Sequence, residues 1–248
     1  LPASGAGSLA GCVLATPEAV AREAADRLLA ASRDAIAARG RFALALAGGR
    51  TPALLHRTLA GLTVASWERW EVFFGDERAV AHDHPASNYG NARGDLLARV
   101  PIPPARVHPL FTPGEDLDAQ ALAYERLLVD RLGPEAVLDA LVLGVGRDAH
   151  TLSLHPRCPL LRATPRLVAA LRDPPMDPPL ARLTLTPAAV HRARLVLVLA
   201  TGADKSSAVR ALCAGPDDPF ETPIQIVRGC TGEALVLLDA AADGASAP

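Results

Sequence analysis

Residues 143–156 read LGVGRDAHTLSLHP: an apolar run, two glycines, then Asp148 and His150 with one alanine between them. A histidine on a loop at the end of a strand can act as a general base near neutral pH. Asp148 can orient the ring and fix its tautomer. The plain alternative is a histidine satisfied by nearby backbone. His155 is open in the same way, between a share in the chemistry and packing.

Three other segments carry comparable residues. Ala47–Pro52, AGGRTP, joins a strand to a helix through two glycines. Gly48 and Gly49 let backbone approach a ligand, and the helix start offers free N–H groups and a positive dipole end. Arg50 can add a two-pronged contact to an oxyanion. That suits a phosphate, although an ordinary turn with a solvated arginine has the same letters. A Walker A loop is excluded by the spacing and by the missing Lys-Ser/Thr pair. Gly75–Arg78, GDER, follows an apolar strand. Asp76 and Arg78 are two apart on extended chain and point the same way, so they address one ligand or form a surface ion pair. Ala200–Lys205, ATGADK, repeats the glycine turn and contains Lys205, the only lysine in a chain whose other cations are arginines. Lysine gains nothing from a helix N-terminus, which favours a ligand role there. Arg182, opening RLTLT, is either a further anion contact or a strand-edge arginine in water. His82 and His84 have H-x-H spacing, but no third metal ligand accompanies them, and a solvated loop is the simpler reading.

Positioning these loops requires strands that end along one edge. Apolar runs FALAL, WEVFF, LDALVLG, RARLVLVLA and GEALVLL alternate with helical segments. Pro17–Arg39 reads as a helix capped by Thr16 and stopped by Gly40, and a second helix follows Thr51, read as its N-cap. DLDAQALAYERLLVDRLG is amphipathic, and KSSAVRALCAG continues the last glycine turn. Strands apolar on both faces, separated by helices, predict a mostly parallel sheet covered on both sides. In such a sheet the carboxyl ends of the strands share one edge, and ligands bind there. RDPPMDPPLAR must be a loop. No repeat or linker divides the chain, and one domain over 1–248 is expected.

Composition narrows the function. Of 248 residues half are hydrophobic and 4% aromatic, so Leu, Val and Ala fill the core. A net charge of −2 and a pI of about 6.4 give no global case for nucleic acid or an anionic membrane. Cys12, Cys158, Cys213 and Cys230 are scattered without a C-x-x-C, and are read as buried free thiols. LAGC (Leu9–Cys12) has a lipoprotein-box outline, but no basic residue precedes Arg22 and no apolar stretch precedes the box.

Taken in order, these blocks resemble the 6-phosphogluconolactonases over nearly the whole chain. LALAGGRTPALL looks like that family's glycine-rich loop. WERWEVFFGDERAVAHDHPASNYGNARGDLL is similar to its DER and SNY block. LDALVLGVGRDAHTLSLHP looks like its GxGxDGHTASLFP signature, and ARLTLTPAAVHRARLVLVLATGADK resembles its final TLT…TGxxK block. The resemblance implies a single-domain, Rossmann-like, three-layer α/β/α sandwich. It implies hydrolysis of 6-phospho-D-glucono-1,5-lactone by a cofactor-free, cytoplasmic enzyme of the pentose phosphate pathway, here expected to be a monomer that binds neither metal, nucleic acid nor membrane. His150 would be the base and Asp148 its support. Gly48, Gly49, Arg50, Thr51, Asp76, Arg78, Arg182 and Lys205 would hold phosphate and sugar. The same superfamily includes sugar-phosphate isomerases and deaminases. The deaminase pattern expects an acid shortly after the histidine motif, which HTLSLHPRCP lacks. A sugar-phosphate binder without turnover is the reading from another class, motivated by departures from the signature. Ala149 replaces a glycine, Leu152 an alanine and His155 a phenylalanine. If the backbone at Ala149 has positive φ, the methyl group costs about 1 kcal/mol.

Overall fold

The structure, a computed structural model, describes residues 9–64, 66–162 and 165–244. Its strands are β1 (Leu9–Leu14), β2 (Phe42–Leu46), β3 (Trp70–Phe74), β4 (Asp76–Arg78), β5 (Ala140–Gly144), β6 (Val168–Leu171), β7 (Arg182–Leu185), β8 (Leu195–Ala200) and β9 (Glu233–Asp239). The helices are α1 (Pro17–Arg39), α2 (Arg50–Ala60), α3 (Asn88–Ala92), α4 (Leu117–Leu132), α5 (Pro187–Arg192), α6 (Ser206–Ala214) and α7 (Ala240–Asp243).

Six strands form a wholly parallel sheet in the order β1-β9-β8-β5-β2-β3. Every residue of β2, β3 and β8 is buried, as expected for strands covered on both faces. Leucine, valine and alanine dominate the core, and the few aromatics cluster: the Phe42 and Trp70 rings meet edge-on with centroids 4.7 Å apart. LAGC forms the start of β1, the half-buried edge strand. The chain steps from β2 to β3 on one side and later returns to place β5 on the other. The order therefore reverses between β2 and β5, where a crevice opens beyond the carboxyl ends.

Three local features differ from the pattern read in the sequence. WEVFFGDER is two strands. β3 ends in the parallel sheet, and after Gly75 the chain enters a second, antiparallel sheet of order β4-β7-β6. Gly75 lets the pivot lie close to Leu152: a Cβ there would stand 2.7 Å from Leu152 Cδ2, and that side chain would have to shift. Thr51 does not cap α2. The helix begins at Arg50, with Gly49 at the cap position at φ +105°. That conformation is open to glycine and starts the helix two residues earlier, while the Thr51 hydroxyl meets that of Thr201 at 2.7 Å. Finally, Cys158 and Cys230 are buried free thiols, but Cys12 and Cys213 are half-buried. Cys12 lies on the edge strand, which among the described residues pairs with β9 alone.

Candidate active site

At the crevice lies a cavity of about 290 Å³. Its walls include Gly48, Gly49, Arg50 and Thr51 after β2, and Asp76 and Arg78 on β4. Gly146 and His150 after β5, Arg182 on β7 and Lys205 after β8 complete the expected set. The four loops that are distant in sequence converge, and Asp148 joins them through His150. His155 is not among the lining residues, and its Nδ1 lies 2.9 Å from the Pro156 carbonyl. His82 and His84 are also engaged elsewhere: His82 Nε2 with the Phe111 carbonyl, and His84 Nδ1 accepting from the Ala86 N–H.

The histidine is held by its own loop. His150 Nδ1 lies 2.6 Å from Asp148 Oδ1, and the same oxygen accepts the His150 backbone N–H at 3.2 Å. The bond to His150 holds the Asp148 carboxyl down at about 2, so the carboxylate stays charged. The loop closes on itself, with Gly146 N–H donating to the His150 carbonyl and Ala149 N–H to the Gly146 carbonyl. The Thr151 hydroxyl donates back to the Gly144 carbonyl at 2.9 Å. Ala149 has φ +65° and Leu152 φ +55°, the left-handed region that favours glycine. The loop nevertheless adopts it: Ala149 is 6% exposed, and its carbonyl accepts from Ile224 N–H at 3.0 Å.

Elsewhere in the lining, Arg78 and Arg182 are held by hydrogen bonds. Glu77 is buried, and it accepts four hydrogen bonds: from the backbone N–H groups of Arg78, Asn88 and Tyr89, and from the Ser87 hydroxyl. Burial pushes its carboxyl up, and the backbone donors oppose that rise. This anchors Asn88, whose Oδ1 accepts from Arg78 Nη1 and whose Nδ2 donates to Asp76 Oδ1 and to the Asp76 carbonyl. The other Asp76 oxygen accepts from the Ser153 hydroxyl at 2.7 Å. Gly48 must lack a side chain, since a Cβ there would fall 1.8 Å from Asn88 Oδ1. Arg182 is only 2% exposed, not a strand-edge arginine in water, and its Nη2 donates to the Pro178 carbonyl. Burial pulls its guanidinium below the usual arginine range. The Nε atoms of Arg78 and Arg182 are buried without a partner.

Asn88, Glu77, Ser153, Thr201, Met176 and Asp177 are site components that residue-by-residue reading missed. The Asn88 signal lay in the SNY block, but its function depends on Gly48, 40 positions away. Met176 and Asp177 reach the cavity from the proline-rich loop, whose path no periodicity specifies.

Comparison with known proteins accords with this architecture. The family described as glucosamine-6-phosphate isomerases/6-phosphogluconolactonase matches residues 15–236. A 6-phosphogluconolactonase of Synechocystis is 39% identical over 83% of this chain and 85% of its own length. One from Streptomyces coelicolor is 38% identical over 91% and 90%. Among solved structures, the 6-phosphogluconolactonase of Trypanosoma brucei superposes with a TM-score of 0.83 and 29% identity, over 97% of this chain and 99% of that one. A monomeric glucosamine-6-phosphate deaminase gives 0.78 and 25%, over 96% and 100%. The described residues hold no helix long and apolar enough to cross a membrane. By sequence over most of its length, and by the fold that carries the cavity, the chain belongs to the glucosamine-6-phosphate isomerase/6-phosphogluconolactonase family.

Proposed function

We propose that this protein hydrolyses 6-phospho-D-glucono-1,5-lactone to 6-phospho-D-gluconate, with His150 as general base. The observation that carries the reading is His150, paired with Asp148, in the lining of a cavity that Arg50, Arg78, Arg182 and Lys205 also line. The names of its relatives point to the same reaction. With Nδ1 donating to Asp148, the lone pair of neutral His150 is on Nε2 and is free to take a proton from water. The resulting hydroxide adds to the lactone carbonyl, and negative charge develops on the carbonyl oxygen. Arginine donors and the N–H groups at the start of α2 suit that charge and the phosphate. Collapse breaks the bond to the ring oxygen, which receives the proton back from His150 Nε2. No electron transfer is involved, so the chemistry needs no redox cofactor.

In this reading Arg78, Arg182, Arg50 and Lys205 hold the phosphosugar together with Gly48, Gly49 and Thr51. Asp76 is chiefly a support, because both its oxygens are already engaged by Asn88 and Ser153. The protein acts as a single domain and a monomer in the cytoplasm. The test is hydrolysis of freshly prepared lactone, corrected for the spontaneous reaction, beside His150→Ala. Loss of nearly all enzymatic rate in the variant supports the base. Equal rates in the two proteins eliminate it. Binding of 6-phosphogluconate by a protein without turnover would instead mark a binder.

A further inference from the structure

Two charged residues outside the cavity lining gather the cations at its rim. Asp204 Oδ2 is 2.8 Å from Arg147 Nε, 3.7 Å from Arg50 Nη2 and 3.7 Å from Lys205 Nζ. These cations come from three different strand-end loops: α2's first turn, the His150 loop and the turn after β8. Arg50 and Lys205 line the cavity, whereas Asp204 and Arg147 adjoin it without lining it. The turn is built for this arrangement. Gly202 has φ +93°, and a Cβ there would stand 2.9 Å from Asp204 Oδ1. Its N–H donates to both oxygens of Asp239 at the end of β9, which fixes the turn to the sheet.

One carboxylate shared by three cations leaves them short of negative charge. The Arg147 and Arg50 side chains are 76% and 85% exposed, so both can swing without disturbing the core. Lys205, at 17%, is held beside the cavity.

We propose that Asp204 is a stand-in anion that keeps Arg50, Arg147 and Lys205 assembled in the empty site, and that Arg147 turns from it onto the phosphate of the bound substrate. Arg147 is then a binding residue that discriminates phosphorylated from unphosphorylated lactone. It sits on the loop that carries His150, three positions away. The inference rests on the lactonase reading for its substrate, but the phosphate-binding rim can be tested without turnover.

Two measurements separate these. The first is calorimetric binding of 6-phosphogluconate and of inorganic phosphate to the wild type, Arg147→Gln and Asp204→Asn at low and moderate salt. Arg147→Gln is expected to weaken both ligands about two- to fivefold, the range for one charge-assisted contact at an exposed site. Asp204→Asn removes a competing anion and is expected to tighten both at low salt. The second is steady-state kinetics on the phosphorylated lactone and on glucono-1,5-lactone. In Arg147→Gln, KM for the phosphorylated substrate rises, and its kcat/KM advantage over the unphosphorylated one shrinks by the same factor. Unchanged affinity in Arg147→Gln, or an equal loss for both lactones, overturns the proposal and leaves Arg147 as a surface ion pair. A wild type that binds phosphate through Arg147 without hydrolysing either lactone refutes the lactonase reading and not the rim.

Discussion

Gly146 provides a direct test of whether the Asp148–His150 geometry sets the rate. A Cβ built on Gly146 falls 2.0 Å from His150 Nδ1, 2.3 Å from Cε1 and 2.5 Å from Asp148 Oδ1. Carbon atoms do not approach neighbours this closely, so Gly146→Ala must displace the ring by an ångström or more. The methyl group lies against both partners at once, so any retreat of the ring strains or breaks the 2.6 Å bond to Asp148. Misplacing a catalytic group by about an ångström costs roughly a hundredfold in rate, or about 2.7 kcal/mol in the barrier. The assay is acid release from the lactone at constant pH, with spontaneous hydrolysis subtracted and kcat and KM separated. The expected result is a kcat lowered about a hundredfold, a smaller change in KM and a thermal midpoint near that of the wild type, since the loop lies at the cavity. Gly94→Ala is the control, because a Cβ at Gly94 meets nothing within 4 Å. A Gly146→Ala enzyme with kcat within about twofold of the wild type would refute the reasoning. The dyad would then be an ornament of the loop and not its working part.

Three further outcomes follow from the same structure. Ala149→Gly relieves a left-handed φ of +65° and should stabilise the fold by about 1 kcal/mol, raising Tm by about 2–4 °C, with kcat at least retained; a lower Tm would show that the loop has no strain there. Glu77→Gln sets an amide donor against hydrogen-bond donors that one carboxylate now satisfies, and should cost about 2 kcal/mol or more in urea unfolding, with KM rising as Asn88 and Arg78 lose their anchor. His56 on α2 is fully buried, and burial lowers it to about 4. The unfolded chain therefore binds a proton that the folded chain refuses, and stability falls as pH drops from about 6.5 to about 4, by something of the order of 3 kcal/mol. Urea midpoints of the wild type and His56→Leu across that range should show the slope reduced in the variant; parallel curves would place the acid sensitivity elsewhere.

The parallel sheet was readable because its strands are apolar throughout and its helices carry their own start and stop signals. Thr16 accepts the Ala19 N–H, Gly40 takes φ +72°, and Asp116 caps α4 through Asp118 and Ala119. The convergence of four loops then followed from strand direction alone. The second sheet was not readable, because DER and VAAL are too short to show a period and their pairing with RLTL depends on the turn at Gly75. Thr51 misleads for a related reason: threonine before proline is a common helix entry, but Gly49 reaches the same end earlier. Glu77 carried no signal, since a carboxylate in a charged tripeptide gives no hint that it will be buried among four donors. Ala149 shows a converse limit. The sequence identified the strained position, while its cost and its support by Ile224 N–H belong to tertiary structure.

The position of β9 has a consequence for how the molecule is made. β9 pairs with β1 on one side and β8 on the other, so among the described residues β1 has no strand partner until β9 has left the ribosome. Asp239, at the end of β9, also accepts the Gly202 N–H that fixes the Lys205 turn. During synthesis the nascent chain therefore carries an unpaired β1 and an untethered turn, both open to protease and to misdirected pairing. The proposed phosphate-binding rim is accordingly among the last parts to form, and a chain stopped before Glu233 would carry every candidate site residue without the Asp239 carboxylate that fixes the Lys205 turn.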